Sequence, residues 1–130
     1  VTGLELICLA LNIYYEARSE PPYGQLAVGQ VVMQRVESSR HPDSVCEVVY
    51  QGGEALWKCH FSWYCDGLSD QPRDEEAWEN AKYMAEIVAS GARIEALYGV
   101  LHYHSNEIPP PWWTVEMTHV STIGNHEFWR

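Results

Sequence analysis

The chain has 130 residues, with 8 Lys and Arg against 18 Asp and Glu and a formal net charge of −10. That is about one domain's worth of chain, and 46% hydrophobic with 20% charged residues is the composition of a globular protein, not a disordered or collagen-like one. The acidic balance excludes the basic surfaces used on nucleic acid and electrostatic attraction to anionic membranes or wall polymers, and no run approaches the ~18 apolar residues of a membrane span.

Thr2-Gly3-Leu4-Glu5 reads as a capping box. Leu4, Ile7, Cys8 and Leu11 recur at helical spacing and predict a first helix to about Arg18. Pro21 biases Glu20 away from the helical region and is expected to swing it out. A second helix is predicted from about Gly24 to Ser38. Its Leu26–Met33 stretch is apolar nearly all round, as in a buried central helix, and Ala27 and Gly29 allow close packing. His41-Pro42-Asp43-Ser44 is a turn, and Asp43 or Ser44 caps a short helix through Val49. Gln51 to Arg73 has no sustained period and reads as a long irregular loop. Its Trp57, Phe61, Trp63 and Tyr64 argue against disorder. Asp74 caps a third long helix with Trp78, Ala81, Ala85 and Val88 on one face, and Gly91 stops it. Gly99 to His104 alternates like a strand, and Pro109-Pro110-Pro111 is a rigid connector. Thr118 to Ile123 and Glu127 to Trp129 form a hairpin around Gly124-Asn125. The class is α+β, mainly α, in one domain over residues 1–130, with a small antiparallel sheet near the C-terminus. The N-terminus lacks a signal peptide's basic start, and an opening Val1 in place of Met raises the expectation of an upstream leader, module or tag.

Cys8, Cys46, Cys59 and Cys65 allow three disulfide pairings. Cys59 and Cys65 bracket a short loop suited to a local bridge, whereas Cys8, on an apolar helix face, reads as a buried free thiol. No C-x2-C or C-x4-C pair supports zinc. At least one disulfide is expected, hence an oxidising, extracytoplasmic workplace; four reduced cysteines in a cytosolic protein is the alternative.

Three groups of residues can carry chemistry. Glu16 ends an apolar helix beside Tyr14 and Tyr15, where burial would raise its pKa toward that of a general acid. The ordinary reading of the local sequence is an exposed Glu16 paired with Arg18. Among Glu20, Asp43, Asp66, Glu107 and Glu116 no second carboxylate stands out as a glycosidase partner, which favours a single-acid mechanism. His102 and His104 point the same way on a strand, and His119 or His126 can add a third ligand, which keeps a zinc-dependent amidase in view. No phosphate loop, nucleophile elbow or dinucleotide fingerprint occurs. Six Trp and eight Tyr supply flat faces with polar tips, so a non-enzymatic saccharide-binding module is a further reading.

Three blocks in order across nearly the whole chain resemble the cell-wall hydrolases of the spore cortex-lytic (SleB) type. The first is Leu9 to Pro21, with Gly24 to Val28 and Arg35-Val36. The second is His41 to Gln51, with Phe61-Ser62 and Cys65-Asp66-Gly67. The third is Gly99, His102-Tyr103-His104, Pro111-Trp112 and Ile123 to Phe128. The resemblance implies a lysozyme-like fold and a peptidoglycan lytic transglycosylase that needs no metal or other cofactor. Glu16 would be its sole acid and base, cleaving between N-acetylmuramic acid and N-acetylglucosamine and leaving a 1,6-anhydro end. A muramidase using Glu16 and water is the alternative. Gln25, Ser62, Trp63, Tyr103, His104, Asn106 and Trp112, with Trp113, are candidate saccharide contacts. The implied partner is the glycan strand, met by a monomer without membrane insertion, in the periplasm, wall or spore cortex or as a phage-encoded enzyme delivered there. Ser19, Met33-Gln34 and His60 depart from the family's usual residues near the expected cleft and bear on glycan preference.

Overall fold

The structure, a computed structural model, describes residues 1–53 and 58–130; Trp57 of the expected loop lies outside them. Helix α1 (Gly3–Ala17) starts at the capping box, where Thr2 and Glu5 satisfy each other's backbone N–H. Helix α2 (Pro22–Glu37) starts two residues earlier than expected, because Pro22 fits a first helical turn that needs no N–H. Helix α3 (Val45–Val49) is capped by Ser44, and α4 (Glu75–Ala89) by Asp74. Single 3-10 turns occur at Ser62–Cys65, Glu95–Leu97 and Trp112–Glu116.

Strands β1 (His102–Ser105), β2 (His119–Ile123) and β3 (His126–Trp129) form an antiparallel sheet in the order β1-β3-β2. Gly124 turns the β2–β3 hairpin with φ of 56°. Tyr103 faces Phe128 across the β1–β3 pair. β1 is shorter than the alternation suggested. The carbonyls of Val100 and Leu101 accept from Gln34 and Arg35 of α2, which takes them out of the sheet ladder.

The expected central role of α2 holds: Gly24 to Arg35 is buried apart from Leu26. One face packs with α1, α3 and α4 around Ile13, Val32, Val48 and Val88. The other meets the sheet through Ala27, Val31, Ile123 and Phe128. Gln30 and Gln34 are buried between them and are satisfied by the backbone of Ile94, Leu97 and Val100, so these amides clamp the chain entering β1. On α1 the buried stripe is Leu9, Ala10, Ile13, Tyr14 and Ala17; Leu4 and Ile7 are exposed. Of the expected face only Cys8 is fully buried, so the helix lies rotated from it, packed along α4 and α3.

Both cysteine pairs are bridged, Cys8–Cys46 and Cys59–Cys65. Cys8 is therefore not the free thiol its apolar surroundings suggested. α3 packs on α1 and brings the Cα of Cys46 within 5.3 Å of that of Cys8.

Candidate active site

The last turn of α1, the turn into α2 and the exposed faces of β1 and β3 enclose a cleft of about 520 Å³. Glu16 lies in it half-buried. Tyr103 of β1 donates its O–H to Glu16 Oε1 at 2.9 Å. Burial raises the Glu16 pKa; the Tyr103 hydrogen bond and the Arg35 charge oppose this without cancelling it. Tyr103, also desolvated and facing Glu16, is pushed well above the ordinary phenol value and stays a donor. With Oε1 accepting from Tyr103, a proton on Glu16 sits on Oε2. Glu16 is thus not paired with Arg18, whose guanidinium lies 4.8 Å from the centre of the Tyr14 ring.

Glu20 was expected to swing away at Pro21. It lines the same cleft instead, with its side chain only 4% exposed. The chain stays wound between the helices, with Glu20 N–H donating to the Ala17 carbonyl, so Glu20 keeps close to the Glu16 face. Glu20 Oε1 accepts from Asn125 N–H at 2.8 Å and lies 3.1 Å from His126 Nδ1. Gly24 and Gly124 close on Glu20, and a Cβ at Gly124 would strike its carboxylate. Burial lowers the His126 pKa despite Glu20, favouring the neutral ring. In the sequence Gly24 and Gly124 mark only a helix start and a hairpin turn, and their closeness to Glu20 emerges from the packing.

The candidate saccharide contacts separate. Ser62, Tyr103 and His104 line the cleft with Glu16, as does Trp113. His104 Nδ1 sits 2.9 Å from the Ser105 carbonyl, and its Nε2 is buried without a partner among the described residues. Gln25 does not reach the cleft; it is buried and donates to the Glu20 carbonyl from the other side of the α1–α2 turn. Trp63 is buried away from it, stacked on Tyr15 with its indole N–H on Asn12 Oδ1 at 2.8 Å. Asn106 holds the hairpin through Gly124 and Glu127. Trp112 is 86% exposed outside the cleft. Neighbours in a 3-10 turn point about 120° apart, so only one of Trp112 and Trp113 can face the site.

A side cavity of about 390 Å³ continues the cleft past Tyr103 and Trp113 to Arg35, His60 and His102. Arg35 is buried against the Phe61 ring with Nε on the Leu101 carbonyl. Burial and this neighbouring charge lower the His60 and His102 pKa values, His102 to about 4. The four tail histidines do not converge: His102 faces Arg35's cavity, His104 the cleft, His119 Glu127 and His126 Glu20. Among the described residues no three His, Cys, Asp or Glu are grouped to hold a metal ion, so the geometry does not carry the amidase reading.

The cell wall hydrolase family matches residues 19–129, most of the chain, though not the α1 helix that carries Glu16. This chain belongs to that family. The chain is 28% identical over 120 residues to the spore cortex-lytic enzyme of Halalkalibacterium halodurans, a match covering 92% of this chain and a third of that protein's length. It shares its fold with the catalytic domain of the germination-specific lytic transglycosylase SleB from Bacillus anthracis, with a TM-score of 0.79 and 24% identity over 100% of this chain and 97% of that one. The catalytic domain of the Bacillus cereus SleB protein aligns with a TM-score of 0.70 and 24% identity, over 100% and 93%. The helical body with a small antiparallel sheet near the C-terminus is therefore the SleB catalytic-domain fold. No helix among the described residues is long and apolar enough to cross a membrane.

Proposed function

We propose that this cell wall hydrolase cleaves peptidoglycan glycan strands as a lytic transglycosylase, with Glu16 as its single acid and base. The observation that carries the reading is Glu16 itself: a desolvated carboxyl in a glycan-sized cleft, held by a phenol donor at 2.9 Å. In its protonated form, which burial favours, it gives its Oε2 proton to the glycosidic oxygen as the muramoyl C1–O bond breaks. The carboxylate left behind is stabilised by Tyr103 O–H and the Arg35 charge. It then removes the proton of the muramoyl C6 hydroxyl, whose oxygen bonds to C1. The proton count closes, Glu16 is restored and no water is consumed. Ser62, His104 and Trp113 contact the sugars, and the two disulfides suit work outside the cytoplasm, in the wall or cortex.

A second reading, the hydrolytic muramidase, gains from Glu20 standing in the same cleft. It is disfavoured because Glu20 Oε1 already accepts from Asn125 N–H and the carboxylate is closed in by Gly24 and Gly124, which leaves it placed as a bracket for the hairpin. Mass spectrometry of the muropeptides released from purified peptidoglycan separates the two. Products one water lighter than reducing muropeptides are expected, and Glu16→Gln abolishes their release. Full-mass reducing ends would overturn the transglycosylase reading in favour of hydrolysis, and released stem peptides would overturn both.

A further inference from the structure

A second cavity, of about 720 Å³, lies on the other side of the end of α1, closed by residues 68–74. Tyr14, Tyr15, Arg18, Gln71, Arg73 and Asp74 line it. Nothing in the mechanism uses it. Two of the chain's 8 cationic residues, Arg18 and Arg73, converge here, and neither makes an ion pair among the described residues. Tyr14 is 1% exposed beneath them. Its phenol oxygen accepts the N–H groups of Arg73 at 3.3 Å and Asp74 at 3.2 Å, and its own O–H has no acceptor among the described residues. One lining residue is acidic, Asp74, whose Oδ1 is engaged as the α4 cap on Ala77 N–H; Asp70, in the same closing segment, stands near enough to raise the Tyr15 pKa. The site thus offers two guanidinium forks and a buried hydroxyl donor within a protein whose net charge of −10 repels anions elsewhere.

We propose that this cavity is a carboxylate subsite that takes the acidic stem peptide of the glycan, an inference that rests on the peptidoglycan reading. Guanidinium forks match planar carboxylates in two-point contact, which a neutral sugar does not supply. Arg18 stands two residues beyond Glu16, about 3 Å further along the helix axis. The two side chains project about 200° apart around the helix, so the stem reaches Arg18 only by passing the end of α1, a path that an extended tetrapeptide of about 13 Å can span. Tyr15 and Leu68 give the peptide an apolar wall. Binding energy at the peptide would then hold the scissile bond over Glu16.

The test titrates the free tetrapeptide stem of peptidoglycan into the folded protein and follows backbone amides by NMR. Saturable shifts at Tyr15, Arg18, Arg73 and Asp74 are expected. Amidating the peptide's carboxylates, or the Arg18→Gln/Arg73→Gln pair, should weaken binding about tenfold or more. Absent shifts, or equal affinity for the amidated peptide, would overturn the subsite. If the double variant fails to fold, the amidated peptide against the wild type separates the same two outcomes. Glycan cleavage is measured in parallel on intact peptidoglycan and on strands stripped of their stems. The wild type should show a KM about tenfold higher on stripped strands with kcat little changed, and the double variant no such preference. Tetrapeptide binding without cleavage of either substrate would sink the transglycosylase reading and leave the subsite standing.

Discussion

Glu20 decides between a structural bracket and a second catalytic carboxylate. Glu20→Ala removes the acceptor of Asn125 N–H at 2.8 Å and the counter-group of His126 at 3.1 Å, both in a nearly closed environment. With His126 neutral, the loss is that of the Asn125 acceptor, and a donor left unsatisfied costs about 1–3 kcal/mol. At about 2.1 cal/mol/K per residue, a chain of 130 residues has an unfolding entropy near 0.27 kcal/mol/K. The expected drop in Tm is therefore about 4–11 °C. Glu20→Gln keeps an oxygen for Asn125, so its cost should be about 1 kcal/mol or less, a drop of roughly 4 °C at most. A bracket predicts that Glu20→Gln still releases muropeptides within tenfold of the wild-type rate. The assays are calorimetric unfolding and product release from purified peptidoglycan. A Glu20→Gln protein with near wild-type Tm and no activity would refute the bracket, because only chemistry would then need the charge.

Glu16 should show its own signature in stability. Its folded pKa is raised, so the folded state holds this proton more firmly than the unfolded chain, and stability falls as pH rises from the ordinary value of 4.5 through the folded value. Glu16→Gln should be more stable than wild type at neutral pH and equal to it below about pH 4, checked by Tm against pH. Tyr103→Phe removes the hydrogen bond that favours the charged form of Glu16, so the alkaline limb of the pH–rate profile should move to higher pH while kcat falls; an unmoved limb would count against the contact. The disulfides should rank by the loops they close. Replacing Cys8 and Cys46 by alanine, 38 residues apart, should cost about 4 kcal/mol, against about 2 kcal/mol for Cys59 and Cys65, 6 apart, measured by denaturant unfolding.

The local signals in the sequence were faithful where they were local. Thr2, Ser44 and Asp74 cap the helices they were expected to cap, and Gly124-Asn125 turns the hairpin. Glu16 was visible as a carboxylate at the end of an apolar helix. Its partner Tyr103, 87 residues away, was visible only through family resemblance, since nothing local marks that pairing. Aromatic identity did not reveal role. Trp63 and Trp113 look alike in sequence, yet Asn12 captures one indole in the core while the 3-10 turn after Pro111 aims the other at the cleft. Gln25 and Glu20 exchanged expectations, because the α1–α2 turn stays wound and puts Glu20 on the cleft side and Gln25 behind it. Such outcomes depend on how the elements pack, which neither periodicity nor composition encodes.

The order β1-β3-β2 has a consequence for biosynthesis. Of the three strands the middle one comes after the other two in the chain, so β1 and β2 have no sheet partner until residues 126–129 are made. Glu20 waits 105 residues for Asn125, and Tyr103 has no Phe128 beside it before then. A nascent chain can assemble the helical body on the ribosome while its cleft remains open on one side. The cleft is therefore completed only when β3 docks between β1 and β2, one late step in the assembly of this fold.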